Sequence, residues 1–366
     1  MSEPAYSETL QTNQPVLGHE AIEARLLADW NSGRMPHAYL FTGRRGIGKA
    51  TLAYRFARFI LNQSESRPQE DAGLFGNALP PAQPVALESN SQSPASLRMQ
   101  AGTHSGFMVL QPLYDEKKGR YKDEINVDQV RKIIGFNELT SGESSHKIIL
   151  IDPAEAMNPA AANALLKWLE EPPSNTIFLL ISHNPSRLLP TIKSRCRRVA
   201  FSPLSEQHCA QILAAKGVEI EGNPGFLNIL AAGSAGILSE LAESQIEPIF
   251  YDLLHILGQE GTDSTAAYGF AEALPKQISW DNLYLLLVEL LAMIIKSASG
   301  VAVPSAIPPD AAEVIRQIAG RLMVDAWIRQ REQILALHRD TEQLYLDRKH
   351  VVMLILDALA GNLIES

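Results

Sequence analysis

The chain has 366 residues, 46% of them hydrophobic, and a formal net charge of −9. This length exceeds one compact core and indicates two or three domains. The acidic balance argues against a protein that grips DNA by itself, because that usually needs a basic surface. No apolar run reaches the roughly 18 residues of a membrane span, and the polar start is no signal peptide, so no membrane partner is expected. Two cysteines cannot make a disulfide framework, which fits a cytoplasmic location.

In chain order, residues 1–15 are expected to form a flexible tail and residues 16–204 an α/β domain. Within that domain, the Ser-, Pro- and Asn-rich residues 63–104 are predicted to be a disordered insertion. Five short apolar runs predict strands: AYLFTG (38–43), GFMVLQP (106–112), KIILID (147–152), TIFLLIS (176–182) and RVAFSPL (198–204). Helical patterns separate most of them, including one at 127–139 and one begun by Asn158 as N-cap, which is typical of a parallel sheet covered on both faces. Only helical patterns follow after 205, so the predicted fold class is α/β first and all-α afterwards.

The first strand runs into a glycine-rich stretch with the spacing of a phosphate-binding loop. Gly43, Gly48 and Lys49 complete the pattern Gly-x-x-x-x-Gly-Lys between a strand and a helix. Gly43, Gly46 and Gly48 allow a tight backbone whose N–H groups face an anion, and Lys49 would reach the phosphates. The loop therefore predicts binding of ATP or ADP. A glycine-rich turn without a ligand is the alternative.

Two positions that hydrolysis needs are occupied by the wrong residues. The hydroxyl that coordinates Mg²⁺ should follow Lys49, but the residue there is Ala50. Thr51 is a candidate nucleotide-site residue, although one helical step turns a side chain by about 100°. Asp152 supplies the acidic residue that ends a second strand, yet Pro153 stands where a carboxylate would activate water. Glu155 is expected to be a solvated surface carboxylate.

A basic cluster follows the fourth predicted strand. It contains no acid, so it predicts an anionic partner. Its members are Arg187, Lys193, Arg195, Arg197 and Arg198. Arg197 and Arg198 are interpreted as a solvated basic edge, and Cys196, which precedes them, as a small structural residue at a strand entry.

Three stretches together resemble the clamp-loader branch of the AAA+ superfamily. They are HAYLFTGRRGIGKATLA (37–53), KIILIDPAEAMNPAAANALLKWLEEPPSNTIFLLIS (147–182) and LLPTIKSRCRRVAF (188–201). The resemblance covers roughly residues 15–240. The Asn-Ala-Leu-Leu-Lys-x-Leu-Glu-Glu-Pro-Pro run and Ser-Arg-Cys are far more specific than the phosphate loop alone.

The resemblance implies an architecture and partners. It implies a five-stranded AAA+ P-loop domain, a small helical lid at 205–245 and a helical collar at 246–366 through which five subunits assemble. The partners would be the γ/τ and δ subunits of the ring, with the sliding clamp and primer-template DNA reached through the complex. Arg195 of Ser-Arg-Cys would be an arginine finger acting in trans on ATP bound to a neighbour.

Departures from the family pattern point to a subunit that does not hydrolyse ATP. ATPase members carry Ser or Thr at the position of Ala50 and Glu at that of Pro153, and an Arg in the lid where Gly236 stands. The family's four-Cys zinc module would lie within residues 62–146, which hold no Cys, so no zinc or other metal site is expected. His104 and His146 are interpreted as polar surface residues.

Two other functions stay open on the sequence. The chain would be an ATP-hydrolysing AAA+ clamp-loader subunit if Thr51 and Glu155 replaced the lost groups. It would be an unrelated P-loop kinase if the loop served a small substrate, but that reading leaves the Ser-Arg-Cys stretch unexplained. No carboxylate cluster resembles a nucleotidyl-transfer site, so any polymerase activity would belong to a holoenzyme.

Overall fold

The computed structural model describes residues 16–65, 83–115, 120–138, 145–244, 246–259, 264–274, 278–344 and 346–362. The chain forms two compact units, the first ending at His208 and the second beginning at Cys209. The tail predicted at 1–15 lies outside the described residues. No described helix is both long enough and apolar enough to cross a membrane.

The first unit alternates strands and helices. Its elements are α1 (Glu20–Asn31), β1 (Ala38–Thr42), α2 (Lys49–Glu65), α3 (Pro94–Gln100), β2 (Phe107–Leu110), β3 (Tyr114–Asp115), β4 (Arg120–Tyr121), α4 (Val127–Glu138), β5 (Lys147–Ile151), α5 (Pro159–Glu170), β6 (Thr176–Ser182), α6 (Pro190–Arg195) and β7 (Arg197–Ala200). Short 3₁₀ turns lie at Ala154–Ala156 and Pro185–Arg187.

The five predicted strands form one parallel sheet in the order β2-β5-β6-β1-β7. Each strand alternates its side chains between two buried faces, as a parallel sheet covered by helices requires. On β1, Tyr39 and Phe41 face a core shared with α2, and Ala38 and Leu40 face a core shared with α4 and α5. The sheet confirms the predicted α/β class. It also brings the carboxyl ends of β1, β5 and β6 to one edge.

Among its described residues, the second unit contains helices and no strand. Its helices are α7 (Glu206–Ala215, which begins just before the boundary), α8 (Pro224–Ala231), α9 (Ala235–Ala242), α10 (Ile246–Gly258), α11 (Ser264–Ala273), α12 (Trp280–Ala298), α13 (Pro309–Ala319), α14 (Val324–Leu344) and α15 (Arg348–Leu359). Trp327 is fully buried in this unit, and its indole N–H donates to the Ala319 carbonyl at 3.2 Å. The change from α/β to all-α is as predicted. The division into lid and collar at 245 stays a prediction.

The insertion predicted at 63–104 is more ordered than its composition indicates. Residues 66–82 lie outside the described residues, but α3 forms within the remainder, and Leu87 and Met99 are buried in the core around α2. The reason is local: Ser93 is the N-cap of α3, its hydroxyl accepts from the Ser96 N–H at 3.1 Å, and a Pro occupies the first helical position. The same Ser-Pro content that predicts disorder therefore begins a helix here.

Candidate functional site

The phosphate loop joins β1 to α2 as predicted, and its glycines are required by its backbone. Gly43, Gly46 and Gly48 have φ of 151°, 76° and 100°, conformations that L side chains rarely adopt. A Cβ on Gly43 would also lie 2.6 Å from the Ile47 side chain and 2.9 Å from the Phe201 carbonyl oxygen. Only glycine fits there, so the loop keeps the tight path on which phosphate binding depends.

Lys49 is buried and folds back onto its own loop. Its Nζ donates to the carbonyl oxygens of Gly43 at 2.7 Å and Arg44 at 2.5 Å. Burial lowers its pKa to about 8, while the carboxylates of Asp152 and Glu155 oppose that shift. The ammonium is therefore held by backbone dipoles at the point where phosphates would lie.

The first turn of α2 offers no hydroxyl beside the lysine. Ala50 packs against the core that β1 shares with α2. Thr51 is half-buried one residue further along. A methyl group therefore occupies the position from which a Mg²⁺ ligand would extend.

Asp152 is buried directly after β5, and its N–H donates to the Leu110 carbonyl at 3.0 Å. Pro153 follows, so neither a carboxylate nor a backbone N–H is available at the next position. The carboxylate predicted for a hydrolase is missing, and the buried acid remains.

The interpretation of Glu155 as a solvated carboxylate is wrong. Its Oε1 accepts from the backbone N–H groups of His183 at 2.7 Å and Asn184 at 2.9 Å, and its Oε2 is buried without a hydrogen-bond partner. The residue is half-buried because it ties the 3₁₀ turn after β5 to the segment after β6. This contact joins two strand ends that are neighbours in the sheet but distant in sequence.

Two histidines border the loop and were not singled out from the sequence. Burial lowers the pKa of His183 to about 4, helped by the charges of Lys49 and Arg45. His19 is buried, its pKa is lowered by burial, and its Nε2 donates to the Ile47 carbonyl at 2.7 Å, since that oxygen can only accept. Both rings are neutral near pH 7. The sequence signal for His183 was its place directly after a strand.

The expectation of an uncompensated basic cluster is wrong for two of its arginines. Arg195, the last residue of α6, pairs with Glu170 at 2.7 Å. Arg197, expected at a solvated edge, pairs at 2.8 Å with Asp29, which also accepts from the Tyr39 hydroxyl at 3.0 Å. The acids come from α1 and α5, so a window confined to 186–198 cannot contain them.

Cys196 has the structural character expected of it. Its thiol is buried, which raises its pKa to about 12. A thiol that stays protonated is a poor nucleophile.

The interpretation of His104 as a surface residue is also wrong, whereas His146 is half-buried. His104 is buried with its Nε2 3.1 Å from Glu65, which Arg98 also contacts at 2.7 Å, and His146 lies 2.8 Å from the Ser64 hydroxyl. These contacts join the end of α2 to the segments flanking β2 and β5. Among the described residues, no group of three or more His, Cys, Asp or Glu is placed to hold a metal ion.

Comparisons with known proteins were made for the whole chain. Residues 18–205, just over half of it, match the family described as "DNA polymerase III, delta subunit". "DNA polymerase III subunit delta'" of Pseudomonas aeruginosa is 45% identical over 160 residues, covering 44% of this chain and 41% of that protein. Its namesake from Escherichia coli is 33% identical over 212 residues, covering 58% and 56%.

A second kind of relative also matches. "DNA polymerase III subunit gamma/tau" of Mycobacterium tuberculosis is 28% identical over 225 residues, covering 60% of this chain and 34% of that protein. The matches thus span between about a third and just over half of the relatives' lengths.

Proposed function

This chain belongs to the DNA polymerase III, delta subunit family, and we propose that it is a delta-prime-type subunit of a clamp loader. In this role, any nucleotide that its own phosphate loop binds is not hydrolysed. The chain instead supplies Arg195 to ATP bound by a neighbouring subunit. The unrelated-kinase alternative does not agree with the family membership.

The observation that carries this proposal is the composition of the phosphate-loop site. The loop, Lys49 and Asp152 are in place, which supports binding of ATP or ADP through Gly43, Gly46, Gly48 and the first turn of α2. The two groups that hydrolysis needs are replaced by Ala50 and Pro153. A loop that is intact but lacks both of these groups fits a site that can bind a nucleotide without hydrolysing it.

Arg195 is suited to act outside its own chain. It ends α6 with its side chain 34% exposed, and its planar, permanently charged guanidinium matches phosphate oxygens. An arginine presented by a neighbour stabilises the charge that develops on phosphoryl transfer. We place the partners as γ/τ- and δ-type subunits in a pentameric ring in the cytoplasm, with the helical unit providing lid and collar, and with clamp and primer-template DNA reached through the complex.

The first experiment is Arg195→Ala in a complex reconstituted with ATP-hydrolysing partner subunits. DNA-stimulated ATP turnover is expected to fall about tenfold or more, with assembly unchanged on size-exclusion chromatography. Arg187→Ala is the matched control, because Arg187 is an exposed arginine on the preceding 3₁₀ turn. Normal turnover by a fully assembled Arg195→Ala complex would overturn the assignment.

The alternative of an active ATPase has one observation in its favour. The charge of Glu155 opposes the lowering of the Lys49 pKa, so its carboxylate lies near the phosphate loop, and Thr51 lies in the first turn of α2. Its Oε1, however, already accepts two backbone N–H groups. Steady ATP turnover by the purified chain that is lost in both Thr51→Val and Glu155→Gln would establish this alternative. Binding without turnover, with or without Mg²⁺, is the result that the proposed function expects.

A further inference from the structure

Arg195 has a fixed direction in this structure, set by three acceptors from its own chain. Its Nη2 lies 2.7 Å from Glu170 Oε1, and its Nη1 donates to the Thr191 carbonyl at 3.0 Å and to the Ser194 hydroxyl at 3.5 Å. A guanidinium has five N–H donors, so these three acceptors do not use all of them. The guanidinium is thus held in place by its own chain and still has N–H groups that can donate to an anion.

Glu170 occupies a place that its own helix does not favour. It is the last residue of α5, where the helix dipole is negative and a carboxylate is destabilising. Pro172 and Pro173 end the helix just beyond it. The favourable contact that the structure gives this carboxylate is the ion pair with Arg195, which links the ends of α5 and α6.

We propose that Glu170 is the positioning residue of the arginine finger: it holds the Arg195 guanidinium in the direction from which it meets a nucleotide phosphate on a neighbouring subunit. This inference rests on the proposed function, since it needs Arg195 to act in trans. A long arginine side chain loses considerable rotamer freedom when it is fixed, and an ion pair formed before assembly removes part of that loss from the binding step. Glu170 does not touch the nucleotide in this proposal.

The expected effect is modest because the pair is partly exposed, with 34% of the Arg195 side chain and 50% of the Glu170 side chain open to solvent. Glu170→Ala in the reconstituted complex should lower the kcat of ATP turnover about two- to fivefold, the range for such a pair. The KM for ATP, which the neighbour's own loop sets, should stay constant.

The matched control is Glu171→Ala. Glu171 is the next residue, is exposed, and makes no ion pair with any described residue. It tests whether removing a negative charge from this end of α5 is enough to change turnover. Equal melting temperatures for both variants would show that the fold is intact.

A double-mutant cycle separates positioning from a general structural effect. Glu170→Ala should cause no further loss when it is added to Arg195→Ala, because a positioning residue acts only through the group that it positions. An equal further loss in that background would overturn the inference. So would an increase in turnover for Glu170→Ala, which would make Glu170 a competitor of the phosphate.

The remaining outcomes distinguish this inference from the function beneath it. If Arg195→Ala abolishes ATP turnover while Glu170→Ala matches wild type, the positioning role of Glu170 is wrong, and the assignment of Arg195 as the arginine finger is retained. If Arg195→Ala itself has no effect, the proposed function is overturned and this inference falls with it.

Discussion

Replacing Lys49 by Met should stabilise the chain at neutral pH and destabilise it at alkaline pH. Burial places the pKa of Lys49 at about 8, against 10.5 for a free lysine. Folding therefore carries a free-energy cost for keeping the Lys49 ammonium charged. This cost is fully present below pH 8 and disappears as the pH rises towards 10.5. At about 1.36 kcal/mol per pKa unit, the cost is about 3.4 kcal/mol at most.

The net change must include the hydrogen bonds that Met cannot make. Losing the donor to the Gly43 and Arg44 carbonyls costs about 1 kcal/mol each. Lys49→Met should then be about 1 kcal/mol more stable than wild type at pH 7. Between pH 7 and pH 10 the cost in the wild type falls by about 2.5 kcal/mol, so the variant should be about 1 kcal/mol less stable at pH 10.

The assay is urea unfolding of the full chain at pH 7, 8.5 and 10, with the variant and wild type compared at each pH. Groups that titrate equally in both proteins cancel in that difference. Lys132→Met, at an exposed lysine of α4, is the control for the loss of a lysine side chain at the surface. A constant difference for Lys49→Met across this range would refute the reasoning about its buried charge.

Three further predictions concern the same unit. Gly43→Ala should destabilise it by about 2 kcal/mol or more in urea unfolding, because the new Cβ would meet Ile47 at 2.6 Å in a backbone conformation that alanine avoids; an unchanged midpoint would contradict this. Asn158→Ala removes the side-chain oxygen that accepts from the Ala161 N–H at 2.9 Å and should cost about 1 kcal/mol, whereas Asn158→Ser should recover most of it. The Cys196 thiol should not react with a thiol reagent at pH 8 until the chain is unfolded, which mass spectrometry of the labelled peptide would check, and rapid labelling of the native chain would be the contrary result.

The predictable part of the molecule is the part that short-range pattern determines. Short apolar runs separated by helical patterns predicted the five-stranded parallel sheet, and Asn158 as N-cap predicted the start of α5. Each of these signals lies within a single element. The glycine spacing placed Lys49 between β1 and α2 for the same reason. The β3–β4 hairpin was missed because strands of two residues carry almost no periodic signal.

The parts that were missed depend on contacts between elements. Glu155 was expected in solvent, yet the sheet order places it beside the N–H groups that follow β6. Arg195 and Glu170 are separated by two elements and meet because α5 and α6 end together. His104 is buried because α2 supplies Glu65 as its partner. The charges of residues that are close in sequence therefore say little about whether a charged side chain has an ion-pair partner in the folded chain.

Ala50 has a consequence for how such a protein changes over evolutionary time. Its methyl group packs against the core, so a hydroxyl there would have to be accommodated before it could serve a metal ion. Under the proposed function, recovery of hydrolysis would also require a carboxylate in place of Pro153, and neither change alone would complete the reaction. Selection on turnover therefore gains nothing from the first step of a return. Under the proposed function, a return to hydrolysis therefore needs both changes together, and ATP turnover in the complex stays with the neighbouring subunits.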